Sequence, residues 1–299
     1  MNVVAVPSSF DYRTIEEFLS RIPEGDEGPV LVDARHLRWI DPNGMLYLLV
    51  AGKVIGQRTG TRPVLELPES AEVRAYLHRM HFQASAREVF EGAFRAGRAQ
   101  SGESEVLLEI TEIAENDHVH AVVDHLQARA GAVLQRTLGY PASAVVQFSV
   151  LLSELCGNVL EHAESPGWVS AQSYNWAKRL GRHVVVIAVA DVGRGFRASL
   201  ADEHAARFGD RWGDATALEA AFLHGVTRFP DSGRGQGIQQ IRKQVRRWDG
   251  RIAIRSGTAR IADVPAWDDA PPLEEGLPFL PGAQIEIILP ARDPAEGGR

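Results

Sequence analysis

Glu154, Asn158, Glu161 and His162 interrupt a run, ELCGNVLEH, that otherwise reads as a buried helix. At about 100° per residue, Glu154, Asn158 and Glu161 fall within about 60° of one another and His162 lies just beyond, while Val145, Phe148, Leu152, Leu155 and Val159 gather on the far side. Such a stripe either faces water, as the polar side of many amphipathic helices does, or faces a ligand. Two later segments bear on that choice. VVVIAVADVGRGF, 184–196, is an apolar, β-branched run without alternation, as expected of a strand covered on both faces, and it ends in Asp191, Gly193 and Gly195. A carboxylate there can accept a hydrogen bond from an exocyclic amine, and the glycines let a flat base approach the backbone; the same residues also make an ordinary turn. In SGRGQGIQQI, 232–241, Gly233, Gly235 and Gly237 precede an amphipathic helix, where free backbone amides and the helix dipole attract an anion. The GxGxG spacing carries no Lys-Ser or Lys-Thr pair and no acidic ribose partner, so it is neither a Walker A loop nor a Rossmann turn.

The elements that must position these residues fall into two groups. Up to about residue 85 strands alternate with helices: VVAV (3–6), a helix over 14–21, PVLVDA (29–34), a helix over 45–58, PVLEL (63–67) and a helix over 70–82. This predicts a small α/β domain with a largely parallel centre. Residues 84–104 lose periodicity and mark a boundary, giving domains 1–85 and 105–292, a linker 86–104 and a tail 293–299. The second part opens with VLLEITEI (106–113), followed by helices over 117–137 and 142–163 and strands over 168–176 and 183–192. One helix over 215–223 then breaks a Gly-, Arg- and Asp-rich segment. A helix over 237–248 and strands 251–257 and 283–290 complete it. The proline- and acid-rich stretch between the last two strands reads as a solvated loop.

Composition sets outer limits. With 299 residues, 44% apolar content and a formal net charge of -7, the chain can build real cores but has no overall basic field for nucleic acid or an anionic membrane. No stretch reads as a membrane helix or a targeting leader, and the single cysteine, Cys156, excludes an internal disulfide. The expected location is cytoplasmic, with Cys156 in the core. His118, His120 and His125 show no metal-ligand spacing and are read as structural.

In order, ExxxNxxxH on a helix, DxGxG after a strand and GxGxG before a helix resemble the N, G1 and G2 boxes of the Bergerat-fold (GHKL) ATPases, the superfamily of histidine kinases, gyrase subunits, mismatch-repair ATPases and a heat-shock chaperone. The resemblance covers roughly 105–292 and implies an α/β sandwich with a mixed, mostly antiparallel sheet that binds ATP and Mg²⁺. By that resemblance Asn158 coordinates Mg²⁺ through its side-chain oxygen, Glu154 orients or deprotonates the group attacking the γ-phosphate, and Asp191 accepts from the adenine N6 amine. Gly193 and Gly195 line the base, Gly233, Gly235 and Gly237 cradle the phosphates with Arg234 nearby, and 193–214 supplies a mobile lid. His162 is either a further ligand-contacting residue, as the kinase-like branch would have it, or a packed histidine.

Within that branch, ELCGNVLEH, ALEAAFLHGVTR and GRGQGIQQIRKQV look most similar to the anti-sigma-factor serine kinases, which phosphorylate a serine on a STAS-type antagonist. VLVDARHLRWIDPNGMLYLL (30–49) resembles the STAS pattern itself, a buried strand followed by Ile-Asp, two small residues and Gly opening a helix. The sequence departs from that pattern in having Pro42 and Asn43 after Asp41, so the usual acceptor serine is missing, and Asn43 cannot take its place. A fused STAS-like and ATPase chain then acts either as a serine/threonine kinase on a separate STAS-type partner that controls a sigma-like factor, or as an ATP-dependent interaction module with little turnover. A sensor-kinase remnant is disfavoured by the lack of an H-box helix. A homodimer is allowed by the resemblance alone.

Overall fold

The computed structural model of the chain describes residues 1–25, 28–92, 94, 106–177, 179–227 and 237–292. Its first part runs β1 (Asn2–Ala5), β2 (Ser9–Phe10), α1 (Ile15–Leu19), β3 (Val30–Asp33), β4 (Trp39–Ile40), α2 (Pro42–Thr59), β5 (Val64–Glu66), α3 (Ala71–Arg79) and α4 (Phe82–Val89). Strands β1, β3 and β5 pair in parallel in that order, and β2 pairs with β4, also in parallel. Helix α2 starts sharply because the Asp41 carboxylate accepts from the Gly44 N–H at 2.8 Å and Pro42 needs no partner for a missing N–H. It ends at Gly60, whose φ of 69° is the left-handed conformation that closes a helix. The stretch read as aperiodic after residue 84 is helical to Val89. There Phe90 packs against α2 with the far end of its ring, and a Cβ on Gly52 would lie 2.6 Å from Phe90 Cζ.

The second part runs β6 (Val106–Ile113), α5 (Asn116–Ala132), α6 (Ala142–Asn158), β7 (Gly167–Trp176), β8 (Arg182–Asp191), α7 (Gly195–Phe208), α8 (Asp214–His224), α9 (Gly237–Arg247), β9 (Arg251–Gly257), β10 (Ala259–Asp263), β11 (Leu273–Glu274) and β12 (Leu280–Pro290). These strands form one seven-stranded sheet in the order β11-β10-β9-β12-β8-β7-β6. Every pairing in it is antiparallel, where the resemblance implied a mixed, mostly antiparallel sheet. Helices α5 and α6 carry the chain from β6 to β7, a short turn after Trp176 joins β7 to β8 as a hairpin, and β12 runs antiparallel to both β8 and β9. Two other expectations change. The segment expected to be a mobile lid is mostly α7, whose Ala-rich sequence favours a helix and whose Leu200 and Ser199 are buried. The supposed solvated loop before β12 is anchored by Asp268, whose side chain is buried against Arg251.

The period of two in the central strands sorts their side chains. Val185, Ile187, Val189, Ile252, Ile254, Ile285, Ile287 and Leu289 join the core with α5, α6, α8 and α9. Ala188, Ala190 and Trp168 point to the other face and join the core of the first part, and α2 lies across β7, β8 and β12 there. Two layers of helix therefore enclose the large sheet, which explains why β8 has no polar side. Ala142–Glu161 has the length and mean hydropathy of a membrane span, yet Phe148, Leu151, Leu152, Leu155 and Cys156 along it pack into the inner core.

Candidate functional site

Helix α6 presents Glu154 at the surface and Asn158 half-buried, while Leu155, Cys156 and Val159 turn into the core, as the sequence periodicity requires. Burial pushes the Cys156 thiol up to about 12, so it behaves as a small apolar residue. Directly after Asn158 the helix widens into a π-helical turn, Val159–Ala163. Such turns interrupt the regular ladder and recur at functional sites. The backbone after Asn158 therefore departs from the register of a regular α-helix; the His162 side chain lies outside the described residues.

The carbonyl of Ala163, at the end of that turn, accepts the Arg194 N–H at 3.1 Å. Gly193 is pressed against the same peptide: a Cβ there would lie 1.9 Å from the Ala163 oxygen, which only glycine avoids. The end of α6 and the turn after β8 are thus locked together. On the other flank, a Cβ on Gly237 would lie 2.7 Å from Glu154 Oε2, so the carboxylate sits over the first residue of α9, at the positive end of that helix. Two contacts thus tie α6 to the other segments, its π-helical end to the 191–195 turn and Glu154 to the start of α9. Gly233, Arg234 and Gly235 lie outside the described residues.

Asp191 ends β8 with 4% exposure. Its Oδ1 accepts the Gly193 N–H at 2.8 Å, and no lysine or arginine pairs with it among the described residues. Burial is the main influence and raises its pKa to about 6, offset in part by hydrogen bonds from the Gly193 and Ala283 backbone. Gly195 has φ +68° and no room for a Cβ beside Ser256 Oγ. The Asn158 amide nitrogen is buried without a partner among the described residues. A buried orphan donor and a buried carboxylate lacking a cation are the features expected where a polar ligand completes the bonding.

Three residues that sequence reasoning missed shape this region. Gly282, with φ +76°, lets the Asp191 carbonyl approach to where a Cβ would be 2.2 Å away, and Gln284 Nε2 donates to that carbonyl at 3.1 Å. Gly167 makes room for both Val159 and Asp191. The Pro281-Gly282 pair was a visible turn signal; Gly167 and Gln284 carried none. A cavity of about 420 Å³ opens beside the same turn, lined among others by Arg194, Arg197, Trp212, Asp214 and Phe279. Glu154, Asn158 and Asp191 do not line it. The histidines read as structural form no metal cluster among the described residues; His118 Nδ1 accepts from the Ala114 N–H and His125 lies 3.5 Å from Glu109.

Scanned against models of known protein families, the chain matches none, and a search of curated proteins found no match to it.

Proposed function

We propose that this chain is an ATP- and Mg²⁺-binding regulator, a STAS-like N-terminal domain fused to a Bergerat-fold ATPase domain, acting in the cytoplasm as a serine/threonine kinase on a separate STAS-type protein. The observation that carries the reading is the convergence of three sequence-distant segments: the end of α6, the 191–195 turn and the start of α9. The residues present fit a nucleotide. Asp191, buried and without a cation among the described residues, would accept from the N6 amine of adenine. Asn158 would offer its side-chain oxygen to Mg²⁺ and its unpaired amide nitrogen to a phosphate or water. Gly237 begins α9, where its backbone N–H and the helix dipole would favour a phosphate, and Glu154 beside it would take the proton of an attacking hydroxyl. Mg²⁺ and ATP together would supply the phosphoryl group and neutralise its charge.

The position of Asn43 supports a substrate outside the chain. In the place where the resembling domains carry their acceptor, Asn43 is 4% exposed and donates through Nδ2 to Glu286 Oε1 at 3.2 Å, on the face of the sheet away from α6. Neither its chemistry nor its access suits phosphorylation. The same observation favours a second reading, in which ATP is a structural ligand and the two domains act as one binding module. Incubation of the chain with γ-labelled ATP and purified STAS proteins separates them. Transfer to serine or threonine that is lost in Glu154→Ala is the expected result; tight ATP binding with no transfer to any of them selects the second reading.

A further inference from the structure

Where the N-terminal part meets the outer face of the large sheet, charges are buried in unequal number. Asp11, Asp41, Asp268 and Glu286 are four carboxylates in this seam. Arg13 holds Asp11 from the rim. Arg251 bridges Asp268 at 2.8 Å and Glu286 at 2.5 Å, stacked on the Tyr12 ring, and Arg179 reaches Asp268 at 3.3 Å. The neighbouring Arg255 is committed to Glu16, and Arg260 to Glu274 and Glu16. Three arginines thus serve four carboxylates among the described residues, and the one left over is Asp41. It is 0% exposed; its Oδ1 accepts from the Gly44 N–H and its Oδ2 has no partner. Tyr76 and Tyr174, hydrogen-bonded to each other, and Tyr47 are the remaining titratable groups around it and Glu286, and burial holds all three in the neutral form.

A buried carboxylate without a cation is far better accommodated protonated than charged. Asn43, the second residue of α2, ties the start of the helix that Asp41 caps to β12 through its bond to Glu286 Oε1. We propose that protonation of the buried Asp41 and of Glu286 latches the two parts together in a pH-sensitive way: as pH rises through neutrality protons leave to solvent, both acids carry charge, and the start of α2 is driven from β12. Burial, reinforced for Asp41 by the charges of Glu286 and Asp11, raises both acids, Glu286 to about 7. A raised pKa in the docked state contributes stability that is full below the ordinary carboxylate range and is lost as pH climbs through the raised value. The latch does not use the nucleotide site and stands or falls separately from it.

Hydrogen exchange on the full chain at about pH 6 and about pH 8.5, corrected for intrinsic rates, tests it, with α8 on the inner face as reference. In the unmodified protein, protection of α2 amides is expected to fall about tenfold or more relative to α8 over that interval, the loss that one unit of linked titration produces. In Asp41→Asn, which keeps a good N-cap but cannot ionise, and independently in Glu286→Gln, the fall should shrink to less than about twofold. An unmodified chain whose α2 protection is unchanged across the interval, or a fall of equal size in either variant, overturns the proposal.

Discussion

At the scale of single residues, Asp191 carries the most specific expectation. Its charged form is the acceptor that the nucleotide reading needs, and its pKa is raised to about 6, so nucleotide affinity should decline as pH falls below about 6. Asp191→Asn should weaken ATP binding by roughly tenfold to a hundredfold, the loss of a charge-assisted bond of about 1.5–3 kcal/mol. Stability should move the other way. A raised pKa in the folded state means a contribution lost as pH rises from the usual carboxylate range through about 6, so at pH above that the variant should melt no lower than the unmodified chain. Differential scanning fluorimetry beside calorimetry checks both halves. Glu154, Asn158, Asp191 and Gly237 were legible in the sequence because residue type and spacing alone make them unusual. Gly167, Gly282 and Gln284 were not, because what they do is set by which backbone lies against them, and no local pattern encodes that.

At the scale of elements, the joint between the end of α6 and the turn after β8 is the critical contact. Gly193→Ala would push a methyl group into the Ala163 carbonyl, a clash with backbone that no rotamer relieves, and should cost about 1–3 kcal/mol, lowering the melting temperature by several degrees. Gly157→Ala is the matched control: nothing lies within 4 Å of its would-be Cβ, and alanine favours the helix by up to about 1 kcal/mol, so thermal stability should hold or rise. Helix α6 was readable because its apolar period is strong, although the widening to a π-turn after Asn158 was not. Helix α7 was missed for a physical reason. The glycines and arginines flanking it suggest a loop, while the helix packs against α8, β9 and β12 and buries Leu200. Strands β2, β4 and β11 span two residues each, too short for any period to register.

At the scale of the whole molecule, the two parts are joined through the outer face of one sheet. RIAIRSG alternates arginine with isoleucine, and read alone the arginines belong in water. Instead Arg251 and Arg255 are buried, because α1, α2 and the first turns of the chain cover that face and bring Glu16 to Arg255 with hydrogen bonds of 2.8 and 3.2 Å. The alternation was legible; the cover was not, since it depends on a contact between residues about 240 apart in the chain. Glu16→Ala would leave Arg255 buried with only the Gly257 and Pro278 carbonyls, and urea unfolding should show a loss of about 3 kcal/mol, the cost of breaking one side of a buried pair. The central claim, that distant segments meet around one adenine nucleotide, is tested most directly by calorimetric titration of ATP into the purified chain with and without Mg²⁺, beside Asn158→Ala and Asp191→Asn. The account predicts saturable binding that Mg²⁺ tightens, a Mg²⁺ effect absent in Asn158→Ala, and weaker binding in Asp191→Asn. No heat at millimolar ATP, or binding that neither substitution alters, would contradict it.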